Sequence, residues 1–402
     1  MSQLSKRKAK KNTNAKMNIK VNKKKICYAA IFKNESKNVY RCLNSLKALI
    51  DFVCICDTGS TDNTIELIEK WGQENNIPTT VHRGEEQIFK NFGHNRTLSY
   101  TKAIESYPEA CYLLLIDADM VVKISDNFNS ADLTADCYMF EQVNPYIRYW
   151  NTRMLSTKPK WRCAGVTHEY WDCLTPNHTT VKTNDIWIDD IGDGGSKENK
   201  FKRDIKLLTE GIDDIKEDTG LRTRYKFYLA NSYKDIGDNL NAIEWYDKRI
   251  KDGGFIEEVF IAYLYKGHCY KDLGDVPAAI DSYLKGWDVL PIRSESLYEV
   301  AKIYREQGKN NIALLFAEKG LKIPYPKDCG LFISYKVYEY YFLEEVSIAG
   351  FYGGVEGKKV GKACIIKLLS MKDKISEYSY KLATSNAVHY GITSEMIEKF
   401  KF

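Results

Sequence analysis

Short apolar runs alternate with helix-patterned stretches through the first 120 residues. Ile26–Phe32 and Phe52–Asp57 have the length and texture of buried strands, and helix patterns follow over Lys37–Leu49 and from Thr61 to Asn75, the second with Ser60, Thr61 and Asp62 able to cap it. Thr79–His82 reads as a third strand, Asn91–Tyr107 as a helix, and Cys111–Ile116 as a fully apolar strand ending in Asp117-Ala118-Asp119. Strands separated by helices predict a mostly parallel sheet with right-handed crossovers. Between residues 136 and 190 the strand-like segments Cys137–Val143, Tyr146–Arg153, Val166–Trp171 and Ile186–Asp189 follow one another without helices. They predict an antiparallel or mixed extension of the same sheet, closed by the flexible run Ile191–Gly195.

From residue 198 the texture becomes helical and repetitive. Tyr233, Gly237, Ala242 and Tyr246 recur 37 residues later as Tyr270, Gly274, Ala279 and Tyr283. A third copy follows 34 residues on as Tyr304, Gly308, Ala313 and Ala317. Small and aromatic residues in this register are the tetratricopeptide pattern of paired helices. Pro324 and Pro326 break it, and the stretch from Leu331 to Phe402, interrupted at Gly353-Gly354 and Gly357, continues or caps the array. The expected organisation is a basic tail (1–24), an α/β domain (25–197), helical repeats (198–330) and a helical end (331–402).

Charge modifies this picture at one end only. The net charge is +5, but ten Lys/Arg and no acid fall within residues 1–25, leaving 49 basic against 54 acidic side chains in the body. A basic tail of this kind is a solvated arm, a nuclear signal or an anchor to acidic surfaces. A body of mildly acidic balance argues against a nucleic-acid binder. With 44% hydrophobic and 28% charged residues the chain has ample core, no apolar run long enough to span a membrane, and no secretory signal pattern. Eleven cysteines, several within apolar runs and none in a C-x-x-C pair, point to buried, reduced thiols and a cytoplasmic location rather than to disulfides or zinc.

The acidic residues of the first half carry the chemistry. Asp57 and Asp117-Ala118-Asp119 both fall at the carboxyl ends of expected parallel strands, the edge at which open α/β sheets bind ligands. Two aspartates one residue apart suit a divalent cation with oxygen ligands, Mg2+ or Mn2+, although most such triplets are solvated turns. Further along, the aromatic segment Trp161–Trp171 holds His168-Glu169. A carboxylate there can serve as a general base, or it can simply be paired with a nearby arginine; aromatic faces such as Trp161 and Trp171 suit sugar C–H surfaces.

Lys33-Asn34-Glu35, the run Cys56–Thr64 (CDTGSTDNT) and Asp117-Ala118-Asp119 resemble the family 2 glycosyltransferases of the GT-A fold, a match over about residues 25–200. With the repeats, the chain is similar to soluble members such as lipopolysaccharide-core glucosyltransferases and peptide-modifying relatives. The resemblance implies inverting, metal-dependent transfer of a sugar from a nucleotide sugar, most often UDP-linked, to a glycan or protein acceptor. It implies that the loop after Ala30, together with Glu35, flanks the nucleoside and that Asp57 accepts a hydrogen bond from the base. Asp117 would face ribose or metal, Ala118 would lie between the two carboxylates in the donor site, and Asp119 would hold the metal.

In Asn95-Arg96 the family's usual Arg-Asn order is reversed. Arg96 is expected at the diphosphate or, equally, as a surface arginine, and His94 as a surface or capping group. Glu169 is implied as base and His168 as third metal ligand. Where relatives carry a histidine after the last strand this chain has Asp189-Asp190-Ile191-Gly192-Asp193, so Asp190 or Asp193 can also fill that role. The glycines at 192, 194 and 195 do not have P-loop spacing. The repeats suit an acceptor-positioning surface or a homodimer. The competing reading is a tetratricopeptide scaffold whose first domain has lost catalysis and only binds nucleotide.

Overall fold

A computed structural model of the chain describes residues 23–144, 148–194 and 200–398. Most of the basic tail (1–22), Tyr146, Gly195 and the last four residues lie outside them. The chain divides into two compact units, Met1–Glu198 and Asn199–Phe402.

The first unit is built on one sheet. Its elements are β1 (Ile26–Phe32), α1 (Val39–Leu46), β2 (Phe52–Asp57), α2 (Thr64–Asn75), β3 (Thr79–His82), α3 (Phe92–Ser106), β4 (Tyr112–Leu114) and β5 (Met120–Ile124). They continue as β6 (Cys137–Val143), β7 (Arg148–Ser156), β8 (Trp161–Ala164), β9 (Tyr170–Cys173) and β10 (Thr180–Asp190). The eight-stranded order is β3-β2-β1-β4-β7-β6-β10-β5, and β8-β9 form a separate hairpin. The first four strands pair in parallel, whereas β7 runs antiparallel to both β4 and β6. The sheet is therefore mixed and mostly parallel, as the alternation of patterns predicts.

Both faces of the parallel half are buried, which is why β1 and β2 are continuously apolar. Tyr28, Ala30, Val53 and Ile55 join one core with α1 and α2; Cys27, Ala29 and Cys54 join the other, with Tyr100 and Ala103 of α3. Burial raises the thiol pKa of Cys42 and Cys54 to about 12, and all eleven cysteines are free. Cys111, expected to be buried, is partly accessible because it precedes β4 at the sheet margin.

Several boundaries differ from the pattern. The fourth strand is three residues long, since only Tyr112–Leu114 pair with β1. β5 was not legible as a strand: it is five residues long and gains its ladder only from β10, across the antiparallel edge. Residues 165–169 form a turn instead of the start of a strand, with Gly165 at φ +109° and His168 at φ +51°. Trp161 is 5% exposed and its indole N–H donates to Ser156 O, while Trp171 packs on the ring of Tyr100. Trp161 is thus a core residue, not a sugar platform.

The second unit is all helical among the described residues, with α4 (Lys200–Asp213), α5 (Thr219–Asp235), α6 (Asn239–Asp252), α7 (Ile256–Asp272), α8 (Val276–Val289), α9 (Glu295–Glu306) and α10 (Asn310–Leu321). It continues through α11 (Phe342–Tyr352), α12 (Gly354–Leu369), α13 (Glu377–Ala387) and α14 (Ser394–Glu398). The repeat positions do what their spacing predicts. Gly237, Gly274 and Gly308 take φ near +80°, +81° and +72° in the turns between paired helices, and Ala242, Ala279 and Ala313 are fully buried. Gly357 does not interrupt a helix. It lies within α12, where a Cβ would stand 2.8 Å from Gly350 O of α11, so it sets how closely those helices cross.

Candidate active site

The CDTGSTDNT run ties two loops together at the carboxyl edge of β1 and β2. Asn34 N–H donates to Ser60 Oγ, Glu35 N–H to Thr64 Oγ1, and Ser36 N–H to Asp62 Oδ2. In return Asn34 Oδ1, on a residue at φ +55°, accepts from Thr61 N–H at 2.7 Å. Asp62 also accepts the Thr64 N–H at the start of α2, a local cap made one residue before the formal N-cap Asn63. Asp57 is 5% exposed and accepts from Gly59 N–H, Ser60 N–H and the Ser60 hydroxyl. Ala30 lies inside β1 in the core, so the loop after the strand, and not Ala30 itself, reaches the edge.

Across this edge lies the start of α3. Asn91 caps the helix on His94 N–H, and His94 is exposed. Asn95 is 1% exposed; it accepts from Lys90 N–H and donates to Gln87 O, pinning the loop before the helix. Arg96 points the other way. Its Nε donates to Glu169 Oε1 at 2.7 Å and its Nη2 to Asp117 Oδ1 at 2.6 Å. Burial opposes the guanidinium charge, but the two carboxylates outweigh it and raise the pKa, keeping Arg96 protonated. Arg153, on β7, approaches the other side of Asp117 at 4.0 Å and donates to Gln142 Oε1, whose amide donates to Asp190.

Asp119 accepts from Gly194 N–H at 3.2 Å, and a Cβ on Gly194 would stand 3.0 Å from Asp119 Oδ2 and 3.2 Å from Glu35 Oε1. Glu35 is buried and accepts from Asn38 Nδ2. Asp193 forms a two-pronged ion pair with Arg41 of α1, which raises the arginine pKa first through that hydrogen bond. Ala118 is buried between the two aspartates. The structure therefore brings Glu35, Asp119 and Gly194 together, and separately Asp117, Arg96 and Glu169.

Among the described residues no group of three or more His, Cys, Asp or Glu side chains converges as a metal site. The donor set at Asp119 still suits Mg2+ or Mn2+, which bind through one or two carboxylates plus substrate phosphates and water. Arg153, Gln142 and Arg41 were not singled out from sequence. The available signal was an arginine immediately before the apolar pair Met154-Leu155.

Residues 29–126 match the family described as Glycosyl transferase family 2. Within the first unit this stretch is similar to a family 2 glycosyltransferase domain. Among curated proteins none matches the chain. Solved structures similar to part of it include MamA, 18% identical over 50% of this chain and 97% of that one at a TM-score of 0.32. BtubC from P. vanneervenii is 13% identical over 50% of this chain and 91% of its own, with a TM-score of 0.33. A TPR repeats protein from Bacteroides fragilis is 12% identical over 51% and 87%, with a TM-score of 0.26. No helix among the described residues is long and apolar enough to cross a membrane.

Proposed function

We propose that the first unit transfers a sugar from a nucleotide sugar, UDP-linked in the simplest case, to a hydroxyl of a glycan or protein acceptor with inversion. The observation that carries the reading is the pair Asp117–Arg96–Glu169 and Asp119–Gly194 at the carboxyl edge of β1, β2 and β4, inside and beside the family match. The laced loops at 33–36 and 58–64 give a nucleoside a rigid seat beside Asp57 and Glu35. Asp119, with the donor's own phosphate oxygens, is the residue to hold a Mg2+ or Mn2+ ion; Asp117 stands next to it, and His168, Asp190 and Asp193 are further candidates. The chemistry such an ion supplies is neutralisation of charge on the departing nucleoside diphosphate.

Glu169 is 17% exposed at its side chain, and only Oε1 is engaged by Arg96. Oε2 makes no hydrogen bond among the described residues. It accepts the acceptor's hydroxyl proton as the acceptor oxygen bonds to the anomeric carbon and the anomeric C–O bond to the diphosphate breaks. Arg96 holds the carboxylate aimed throughout.

Calorimetric titration of UDP with and without Mn2+ tests the donor site. Binding that depends on Mn2+ and is lost in Asp119→Ala is expected, with turnover but not binding lost in Glu169→Gln. Absence of UDP binding under both conditions favours the scaffold reading, to which the engagement of Glu169 by Arg96 gives its one structural support.

A further inference from the structure

One arginine of the first unit stands outside the ladder around it. Between β6 and β7 the register passes from Tyr138 opposite Met154 to Met139 opposite Thr152, so Arg153 is skipped, as a bulge residue is. A bulge re-aims a side chain that a regular strand sends to the alternate face. Here it lets Arg153 hold the chain leading out of β4. The Arg153 carbonyl accepts from Leu115 N–H at 2.7 Å, and Nη1 donates to Leu115 O at 3.3 Å. Two residues further on, Asp117 Oδ2 stands 4.0 Å from the same Nη1.

The other side of the guanidinium is fixed by Gln142, buried on β6. Nε and Nη2 both donate to Gln142 Oε1, at 3.2 and 2.6 Å, and Gln142 Nε2 donates to Asp190 Oδ2 at 2.9 Å. A guanidinium only donates and a carboxylate only accepts, so the residue between them must present an acceptor to one and a donor to the other. An amide does both; a carboxylate of the same length does not. Asp190 ends β10, and the chain beyond it brings Asp193 to Arg41 and Gly194 N–H to Asp119. The relay thus runs from Asp117 to the strand end whose loop meets Asp119.

We propose that Arg153 and Gln142 are positioning residues of the donor site: Arg153 sets Asp117, and Gln142, through Asp190, sets the loop against Asp119. Asp190 then belongs to the relay and is not a metal ligand. The assignment rests on the proposed function in taking these two aspartates as the donor site. Neither positioning side chain has to touch the nucleotide, because an outer hydrogen bond that orients a liganding carboxylate changes affinity by about 10–100-fold.

The test is calorimetric titration of UDP with Mn2+ at pH 8 into the full chain. Gln142→Glu still accepts from Arg153 but sets a carboxylate against Asp190, and is expected to weaken binding about tenfold or more. Adding Asp190→Asn restores a donor facing an acceptor, and is expected to recover binding to within about threefold of wild type. A glutamine that only stabilises the fold lowers the melting temperature of Gln142→Glu and leaves its UDP affinity unchanged; that result overturns the assignment. A second loss of affinity on adding Asp190→Asn places Asp190 on the metal and overturns the relay. Should Gln142→Glu not fold, Arg153→Lys decides, since it keeps the charge but not the paired bonds to Gln142: a loss of affinity is expected, and unchanged affinity overturns the proposal. Absence of UDP binding in wild type overturns the donor-site reading and this assignment with it, whereas wild-type binding that the substitutions leave intact overturns the assignment alone.

Discussion

Gly93 N–H donates to Gly165 O at 3.0 Å, and a Cβ on Gly93 would stand 2.3 Å from that same oxygen. The neighbouring Phe92 N–H donates to Val166 O, so the first turn of α3 grips the loop that carries Glu169. Gly93→Ala forces backbone from backbone. We expect a loss of about 1–3 kcal/mol in stability and a fall in turnover larger than any loss of nucleotide affinity. Thermal melts and a kcat-against-KM comparison check it.

Arg96 separates two carboxylates that would otherwise share one partly buried space. Arg96→Met leaves them uncompensated, at an expected cost of about 3 kcal/mol or more. Adding Glu169→Gln to Arg96→Met should recover part of that loss, because one of the stranded charges is gone. A denaturant double-mutant cycle in which the two losses simply add contradicts the bridge.

Much of this arrangement was legible in the sequence, and the exceptions share a cause. β1 and β2 could be read because each is a continuous apolar run buried on both faces. The repeat glycines could be read because a turn with positive φ names its residue. β5 could not, since its ladder comes from β10 some sixty residues on. The roles of Trp161 and Arg96 were equally hidden: an indole in an aromatic segment suits a core and a platform alike, and an arginine on a helix names no partner until the fold supplies two.

The thiols offer a direct readout of the packing within each unit. Cys111, Cys173 and Cys329 are partly accessible, whereas the other eight are buried. Native protein is expected to react with Ellman's reagent at those three positions and at all eleven after denaturation. Cys329 is expected to lag, because desolvation raises its pKa. Raising the pH to 9 should not recruit Cys42 or Cys54, held near 12 by burial. Rapid labelling of more than three native thiols contradicts the described core.

The helical unit carries two carboxyls whose pKa burial raises, Glu344 and Glu345. Arg305 pairs with Glu345 at 2.6 Å, while Glu344 Oε1 is buried without a hydrogen-bond partner among the described residues. A carboxyl whose folded pKa exceeds its unfolded one binds more protons when folded. Its contribution therefore favours folding as pH falls through the folded pKa, and is complete below the unfolded value. Glu344→Gln is expected to raise the melting temperature at pH 8 more than at pH 4.5. An equal effect at both pH values excludes this origin.

Asp57 spends three hydrogen-bond acceptances on its own loop. An ionised carboxylate has about four such positions, so one is left. A nucleobase docked there meets a receptor with capacity for a single donor. The edge of uracil presents one imide N–H and matches that remainder; guanine brings two donors side by side, one of which finds no acceptor on Asp57. On the proposed function, the turn that ties up the other acceptor positions of Asp57 would also select the base that the loop receives.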